Sequence, residues 1–297
     1  MPHRPFPLLL AAAPAVLVLL ALPGCGRFDR GPAGHWDELA QPRPGPLVRF
    51  EPAMVEGLPD PARRFLLWSI EPGTPLARTA EVSMSGTIVL DPARGPIPME
   101  AVQVLTPPEG FIWSARTHGG LRGGLMRIRG YDRFSRGEGE MRWKLFGLIP
   151  VMRASGEDVT RSAAARLLME GVMVPAYLVP ASGEGAGEGE GAQGLPRLEP
   201  DGTPRWEAVD DRHARYRATV AGEEVVTTVE VDPDGRPLRA WAERWNEGTY
   251  ERFQVELSGE ITSGGYRIPS RVQAGWRLGD PDEFRFFDAT LTRLEYR

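Results

Sequence analysis

Apolar and polar positions along this chain alternate mainly with a period of two. Val82, Met84, Gly86, Ile88 and Leu90 interleave with more polar neighbours, and residues 99–105, 110–117, 124–131 and 139–147 behave similarly. In the last of these, Met141, Trp143 and Leu145 alternate with Arg142, Lys144 and Phe146. A strand turns successive side chains to opposite faces, so this pattern predicts strands buried on one side. The second half of the chain continues in the same style over 212–220, 223–231, 237–245, 249–258, 265–277 and 283–296. Ala221-Gly222 reads as a hairpin turn, and Asp232-Pro233-Asp234-Gly235 is a strong turn signal.

Two stretches follow a helical pattern instead. Asp60 suits an N-cap and Pro61 the first turn, and Phe65, Leu66, Trp68 and Ile70 follow on a mostly apolar face, which predicts a helix over 61–70. A second helix is expected over 159–171, capped by Asp158 or Thr160. Ala163, Ala164, Leu167 and Leu168 give it an apolar stripe, Arg161, Arg166 and Glu170 can stay wet, and Gly171 and Pro175 end it. Short strands with regular turn signals and two helices predict an α+β protein, mainly antiparallel β, built as a curved sheet or half-barrel with the two helices packed on it. Neither group of strands is large enough to close a β-structure alone, so residues 58–297 are expected to form one domain. Residues 182–194, rich in Gly and Glu, have nothing to bury and predict a disordered acidic loop. Residues 26–57 are rich in Gly, Pro and Arg without a period and predict a flexible tether.

The N-terminus carries a different signal. Arg4 precedes an uncharged stretch, Phe6 to Leu22, made mostly of Leu, Ala and Val, and the stretch ends Leu22-Pro23-Gly24-Cys25. A positive start, an apolar core and small residues at the end describe an export signal. Cys25 is the single cysteine, so no intramolecular disulfide can form. With Leu at −3 and Gly at −1, the segment resembles the lipobox of bacterial lipoproteins. That resemblance implies a thioether-linked diacylglycerol on Cys25, cleavage before it, and a membrane partner held through the lipid on the periplasmic side. Gly26 is not the Asp that resembles an inner-membrane retention signal in some diderm bacteria, which favours the outer membrane there. The alternative is an uncleaved membrane helix, although Pro7 and Pro14 interrupt it and about 17 apolar residues is marginal for spanning.

Charge narrows the partners. The net charge is −5, so the chain has no global pull toward nucleic acid. Lys144 is the one lysine among 35 basic residues, which points to codon bias in a GC-rich genome.

The domain as a whole resembles an uncharacterised family of bacterial envelope proteins, a domain of unknown function. The matching pieces are Leu58-Pro59 opening a short helix, Gly110-Phe111-Ile112-Trp113-Ser114-Ala115-Arg116 on a strand, and Asp132-Arg133-Phe134-Ser135-Arg136-Gly137-Glu138-Gly139. The helix carrying Arg166 and Glu170 ahead of Pro175, and Gly265-Tyr266-Arg267-Ile268-Pro269, complete the set. In element order the chain also resembles the lipoprotein-carrier proteins of the bacterial periplasm. That resemblance implies a curved antiparallel half-barrel, helices plugging its concave side, and an apolar cavity for acyl chains.

Candidate chemistry is sparse. The histidines are His3, His35, His118 and His213, and no His-x-x-x-His, Cys-x-x-Cys or acidic calcium-loop pattern exists, so no metal or cofactor is expected. There is no Gly-x-Ser-x-Gly, and Cys25 is committed to the anchor. His118 reads as a general base or as a solvated loop residue. Asp132, Arg166 and Glu170 form a candidate polar site, although Asp132 reads more readily as a turn residue and Arg166 with Glu170 as a surface i,i+4 pair. Trp113, Met126, Met141, Trp143, Leu167 and Met169 are candidate cavity residues, large and adaptable, or else plain core. The expected function is a membrane-tethered envelope protein binding a lipid or other apolar ligand between sheet and helix. A non-enzymatic envelope protein docking a protein partner is the alternative, and a hydrolase using Asp132, Glu170 or His118 stands third.

Overall fold

The computed structural model describes residues 28–42, 47–119, 127–180 and 204–297. The export signal with Cys25, the candidate cavity residue Met126 and the acidic loop at 182–194 lie outside the described residues.

The alternating segments form antiparallel strands. The first group is β1 (Ala80–Ile88), β2 (Ile97–Thr106), β3 (Gly110–Thr117), β4 (Ile128–Ser135), β5 (Glu138–Leu145) and β6 (Ile149–Ser155). The second is β7 (Arg205–Ala208), β8 (His213–Val220), β9 (Glu223–Val231), β10 (Pro237–Asn246), β11 (Thr249–Ser258), the short hairpin β12 (Ile261–Ser263) and β13 (Tyr266–Ile268), β14 (Arg271–Trp276) and β15 (Phe284–Tyr296). Thirteen of these make one sheet in the order β6-β5-β4-β3-β2-β1-β15-β14-β11-β10-β9-β8-β7, curled into a half-barrel. Each group is a meander of neighbours in sequence. The two are joined where β15 pairs with β1, Ala80 facing Tyr296 and Ile88 facing Phe287. The local turn chemistry acts as expected. Ala221 and Gly222 both take positive φ, the geometry that matches a two-residue hairpin to the strand twist, and Asp232 Oδ1 accepts from Asp234 N and Arg236 N at 2.9 Å each.

Among the described residues three α-helices pack on the sheet: α1 (His35–Ala40), α2 (Asp60–Ser69) and α3 (Glu157–Met169). Asp60 lies within the first turn of α2 and bonds Arg63 and Arg64 at 2.7 Å; it does not cap a backbone N–H. Glu157 and Asp158 likewise sit in the first turn of α3, where negative charge suits the helix dipole, and Gly156 takes the N-cap place. Helices α2 and α3 share one apolar cluster with the inner sheet face, in which Phe65, Leu66, Leu167 and Leu168 are fully buried. Leu167 therefore belongs to this core and does not line the cavity described below. It projects into the packed side of the helix, where a side chain has no open space.

Helix α1 corrects the expectation of a tether over 26–57. Trp36, Leu39 and Ala40 bury against Val104, Ile112 and Tyr131 on the opposite sheet face from the main core. Glu38 pairs with Arg136 at 2.8 Å, and Thr106 Oγ1 donates to the Leu39 carbonyl at 3.0 Å. The apolar face of so short a helix spans only three residues, too few to stand out as a period among Gly and Pro. Burying Trp36 and Leu39 contributes about 1.5–3 kcal/mol each.

Candidate functional site: a cavity beneath α3

Strand register brings distant residues into one row. Gln103 on β2 faces Trp113 on β3, Trp113 faces Asp132 on β4, and Asp132 faces Met141 on β5. All four point to the inner face, and α3 crosses above them. Ser162, Arg166 and Met169 of α3 recur at spacings of four and three, and Glu170 and Met173 of the short helical turn that follows extend the same stripe. This stripe, and not only the Ala163–Leu168 stripe, faces inward.

Between the row and the stripe lies a cavity of about 530 Å³. Trp113, Met141, Trp143 and Met169 line it. Its far wall is Phe253 and Val255 of β11, Trp276 of β14, and Phe286 and Phe287 of β15. The wall is aromatic and well ordered by ring contacts: Trp113 lies 5.6 Å from Trp143 and 6.1 Å from Phe287, and Phe253 lies 4.9 Å from Trp276. Gly130 makes the Trp143 position possible. A Cβ there would lie 2.1 Å from the Arg142 carbonyl and 2.9 Å from the Trp143 ring itself.

Asp132, Arg166 and Glu170 meet on the polar side of this cavity. Arg166 donates from Nη1 to Asp132 at 3.2 Å and from Nε to Glu170 at 2.7 Å. Trp143 Nε1 donates to the other Asp132 oxygen at 2.9 Å, and Gln103 Nε2 to the other Glu170 oxygen at 2.5 Å. Arg166 is 17% exposed and Glu170 14%, so they are not a solvated surface pair. Asp132 is a strand residue whose carboxylate is spent on α3 and Trp143, not a turn residue bonding its own backbone. Burial pushes the Asp132 carboxyl above the usual range, against the pull of Arg166. Burial also pulls Arg166 down, but Glu170 and Asp132 outweigh it and hold the guanidinium above its ordinary value. His118 is elsewhere: it pairs with Glu100 at 3.4 Å, with both side chains nearly half exposed.

Arg244 is a site residue that sequence patterning misses. It lies on β10, half-buried, and stacks over Phe253 at 4.3 Å and Trp276 at 5.3 Å. It donates to Ser162 of α3, from Nε to the carbonyl at 3.2 Å and from Nη2 to Oγ at 3.3 Å. Ala240 and Ala242 are the buried neighbours on its face, while Trp241 and Trp245 lie on the other. Two tryptophans outweigh two alanines in any hydrophobic count, so the inner face of β10 reads as its outer one. A smaller depression of about 230 Å³, lined by Arg133, Glu140, Asp158 and Glu247, shares Asp132, Arg166 and Arg244 with the cavity. The polar cluster thus stands between an apolar interior and a polar opening.

Next to this site the hairpin of β5 and β6 leaves Phe146, Leu148, Ile149, Val151 and Met152 exposed, and Val151 and Met152 also line the cavity. Among the described residues no cluster of His, Cys, Asp and Glu could hold a metal ion, and no helix is long and apolar enough to cross a membrane.

Fold and site together define a class of protein: a curled antiparallel sheet that cups an apolar cavity under a helix. Residues 48–289 match the family of unknown function DUF6544, and the chain belongs to that family. No curated protein matches it in sequence. Among solved structures it is similar to a LolA superfamily protein from Nitrosomonas europaea, with 12% identity, a TM-score of 0.40, and 80% of this chain and 92% of that one covered. A putative outer membrane lipoprotein-sorting protein domain from Vibrio parahaemolyticus gives 8% identity and a TM-score of 0.39 over 83% of this chain and 92% of that one. A DUF1329 family protein from Desulfovibrio piger gives 14% and 0.38 over 74% and 86%. The expected likeness to lipoprotein-carrier half-barrels is thus present at the level of the fold. At these TM-scores it adds nothing to what the cavity's own geometry says about function.

Proposed function

We propose that this is a membrane-tethered protein of the bacterial envelope that holds a lipid or other apolar ligand between the concave sheet and α3. One observation carries the reading. Two helices pack on the inner sheet face, yet about 530 Å³ stays open there, walled by aromatic and aliphatic side chains. Protein interiors are normally close-packed, and a void of this size falls in the range of ligand sites. A few convergent polar groups at one side are the usual device for orienting a ligand.

The tether is the lipid expected on Cys25, which would keep the cavity close to a bilayer. The apolar hairpin of β5 and β6 supports a role in loading, since its Val151 and Met152 are continuous with the cavity wall. Contiguous exposed apolar surface marks contact with a membrane or a partner.

The same hairpin favours a second reading, docking of an envelope protein on an exposed apolar edge. The test separates the two. The full chain is purified, its bound lipids are extracted and identified by mass spectrometry, and the intact protein is weighed under native conditions. A reproducible stoichiometric apolar species supports the cavity reading. A clean protein mass, apart from the N-terminal acyl groups, removes that reading and leaves the docking edge.

A further inference from the structure

Arg166 and Arg244 both border the cavity, yet their partners differ. Arg166 holds two carboxylates, Glu170 at 2.7 Å and Asp132 at 3.2 Å. Among the described residues Arg244 bonds only Ser162, through Nε and Nη2, and forms no ion pair, although Glu170 and Asp132 act on it through space. Among the described residues its Nη1 edge bonds no protein group. A guanidinium presents a planar fork of donors that fits a carboxylate or phosphate. Asp132 and Glu170 act on Arg244 only through space, so its half-buried guanidinium keeps an edge that a ligand acid can reach. Burial first, and Arg166 second, push Arg244 down to about 9 against the upward pull of Glu170 and Asp132, so it remains a cation at neutral pH.

Its surroundings fix where a ligand would lie. The rings of Phe253 and Trp276 stack against the guanidinium, and both belong to the apolar wall. Arg244 also borders the smaller polar depression. A head group on Arg244 would therefore sit at the boundary, with a tail running into the apolar space. The cavity of about 530 Å³ falls in the size range of small-molecule sites, so a tail has room in it.

We propose that the cavity takes an anionic amphiphile, its acidic head paired with Arg244 and its tail laid along Phe253, Trp276 and Phe286. This rests on the cavity reading above and adds the ligand's charge. The head is a carboxylate or a phosphate, since both match the guanidinium fork.

The test uses the full chain, delipidated and held in amphipol, with the neutral dye N-phenyl-1-naphthylamine as reporter. Hexadecanoic acid, hexadecyl phosphate and hexadecanol are compared by displacement of the dye. The expected result is that at least one acid binds at least about tenfold more tightly than the alcohol. Arg244→Gln should abolish that difference while alcohol binding persists, and Arg244→Lys should keep part of it. Tighter binding of hexadecanoic acid assigns a carboxylate head, and tighter binding of hexadecyl phosphate a phosphate head. Equal affinity of the wild type for the alcohol and both acids overturns the proposal but leaves the cavity reading standing. So does an acid preference that survives in a folded Arg244→Gln protein. Failure of the dye and all three amphiphiles to bind removes the cavity reading itself.

Discussion

Arg166 of α3 and Asp132 of β4 stand 34 residues apart in sequence and 3.2 Å apart in space, and their contact ties the helix to the polar side of the cavity. Arg166 is shared with Glu170, whereas each acid has one arginine. The two halves of the pair are therefore unequal. Arg166→Met leaves two acids buried beside an apolar space and is expected to destabilise the fold by about 3–5 kcal/mol. Asp132→Asn keeps an acceptor for Trp143 and leaves Arg166 on Glu170, so about 1–2 kcal/mol is expected. Urea denaturation of both variants measures the ratio. Equal losses would show that Glu170 does not depend on Arg166.

Filling the cavity should be easier than filling a packed core. Val255 is buried on β11 and lines the space. An extra ring placed in a close-packed interior costs about 1–3 kcal/mol. Val255→Phe is expected to cost less than about 1 kcal/mol here, because the ring enters open volume, and to weaken binding of an apolar dye several-fold. A large loss of stability with dye binding unchanged would show that Val255 does not face usable space.

The β5–β6 hairpin can be made polar without harm to the fold. Leu148 is 68% exposed and Ile149 57%, and changes at such positions normally stay within about 0.5 kcal/mol. The double variant Leu148→Gln, Ile149→Thr should unfold at the wild-type urea concentration. It should take up an apolar ligand from vesicles several-fold more slowly, at unchanged final occupancy. An unchanged uptake rate, followed by stopped-flow fluorescence, would separate the hairpin from loading.

The outer face offers a prediction about pH. Glu140 accepts from Arg133 Nε and from the Tyr131 hydroxyl, each at 3.0 Å. Burial raises the Glu140 carboxyl, but the bonds to Arg133 and Tyr131 outweigh it and hold the group below the usual glutamate value. The unfolded chain then binds the proton more readily than the folded one. Glu140 thus contributes stability above the ordinary glutamate range, and that contribution is lost as pH falls through its folded value. Glu140→Gln should cost about 1–3 kcal/mol at pH 7 and flatten the acid side of the stability profile. Urea midpoints of both proteins between pH 7 and pH 3 test this, and parallel profiles would sink it.

Much of the candidate site was legible in sequence as residue types, and little of it as an arrangement. Trp113, Met141, Trp143, Met169, Asp132, Arg166 and Glu170 all border the cavity, and the strand register that aligns Gln103, Trp113, Asp132 and Met141 is what makes them neighbours. Leu167 and Met169 are both buried apolar residues of α3, and only the packing of the helix brings Met169 and not Leu167 to the cavity lining. Arg244 was hidden because alternation shows that a strand has two faces without saying which is inner.

The sequence by itself determined whatever depends on neighbours along the chain. The β8–β9 turn at Ala221-Gly222, the Asp232 turn, the helices near 61–70 and 159–171, and the period of most strands follow from local sterics, turn chemistry and apolar periodicity. Tertiary structure decided the rest. Strand β6, with Ile149, Pro150, Val151 and Met152 all exposed, carries no alternation and exists because β5 offers it an edge to pair with. Helix α1 is held by Val104, Ile112 and Tyr131, residues that come 64 or more positions after its end. The joining of β1 to β15 brings nearly opposite ends of the domain together. Each of these depends on surface that only the folded sheet presents, and no window of local sequence contains it.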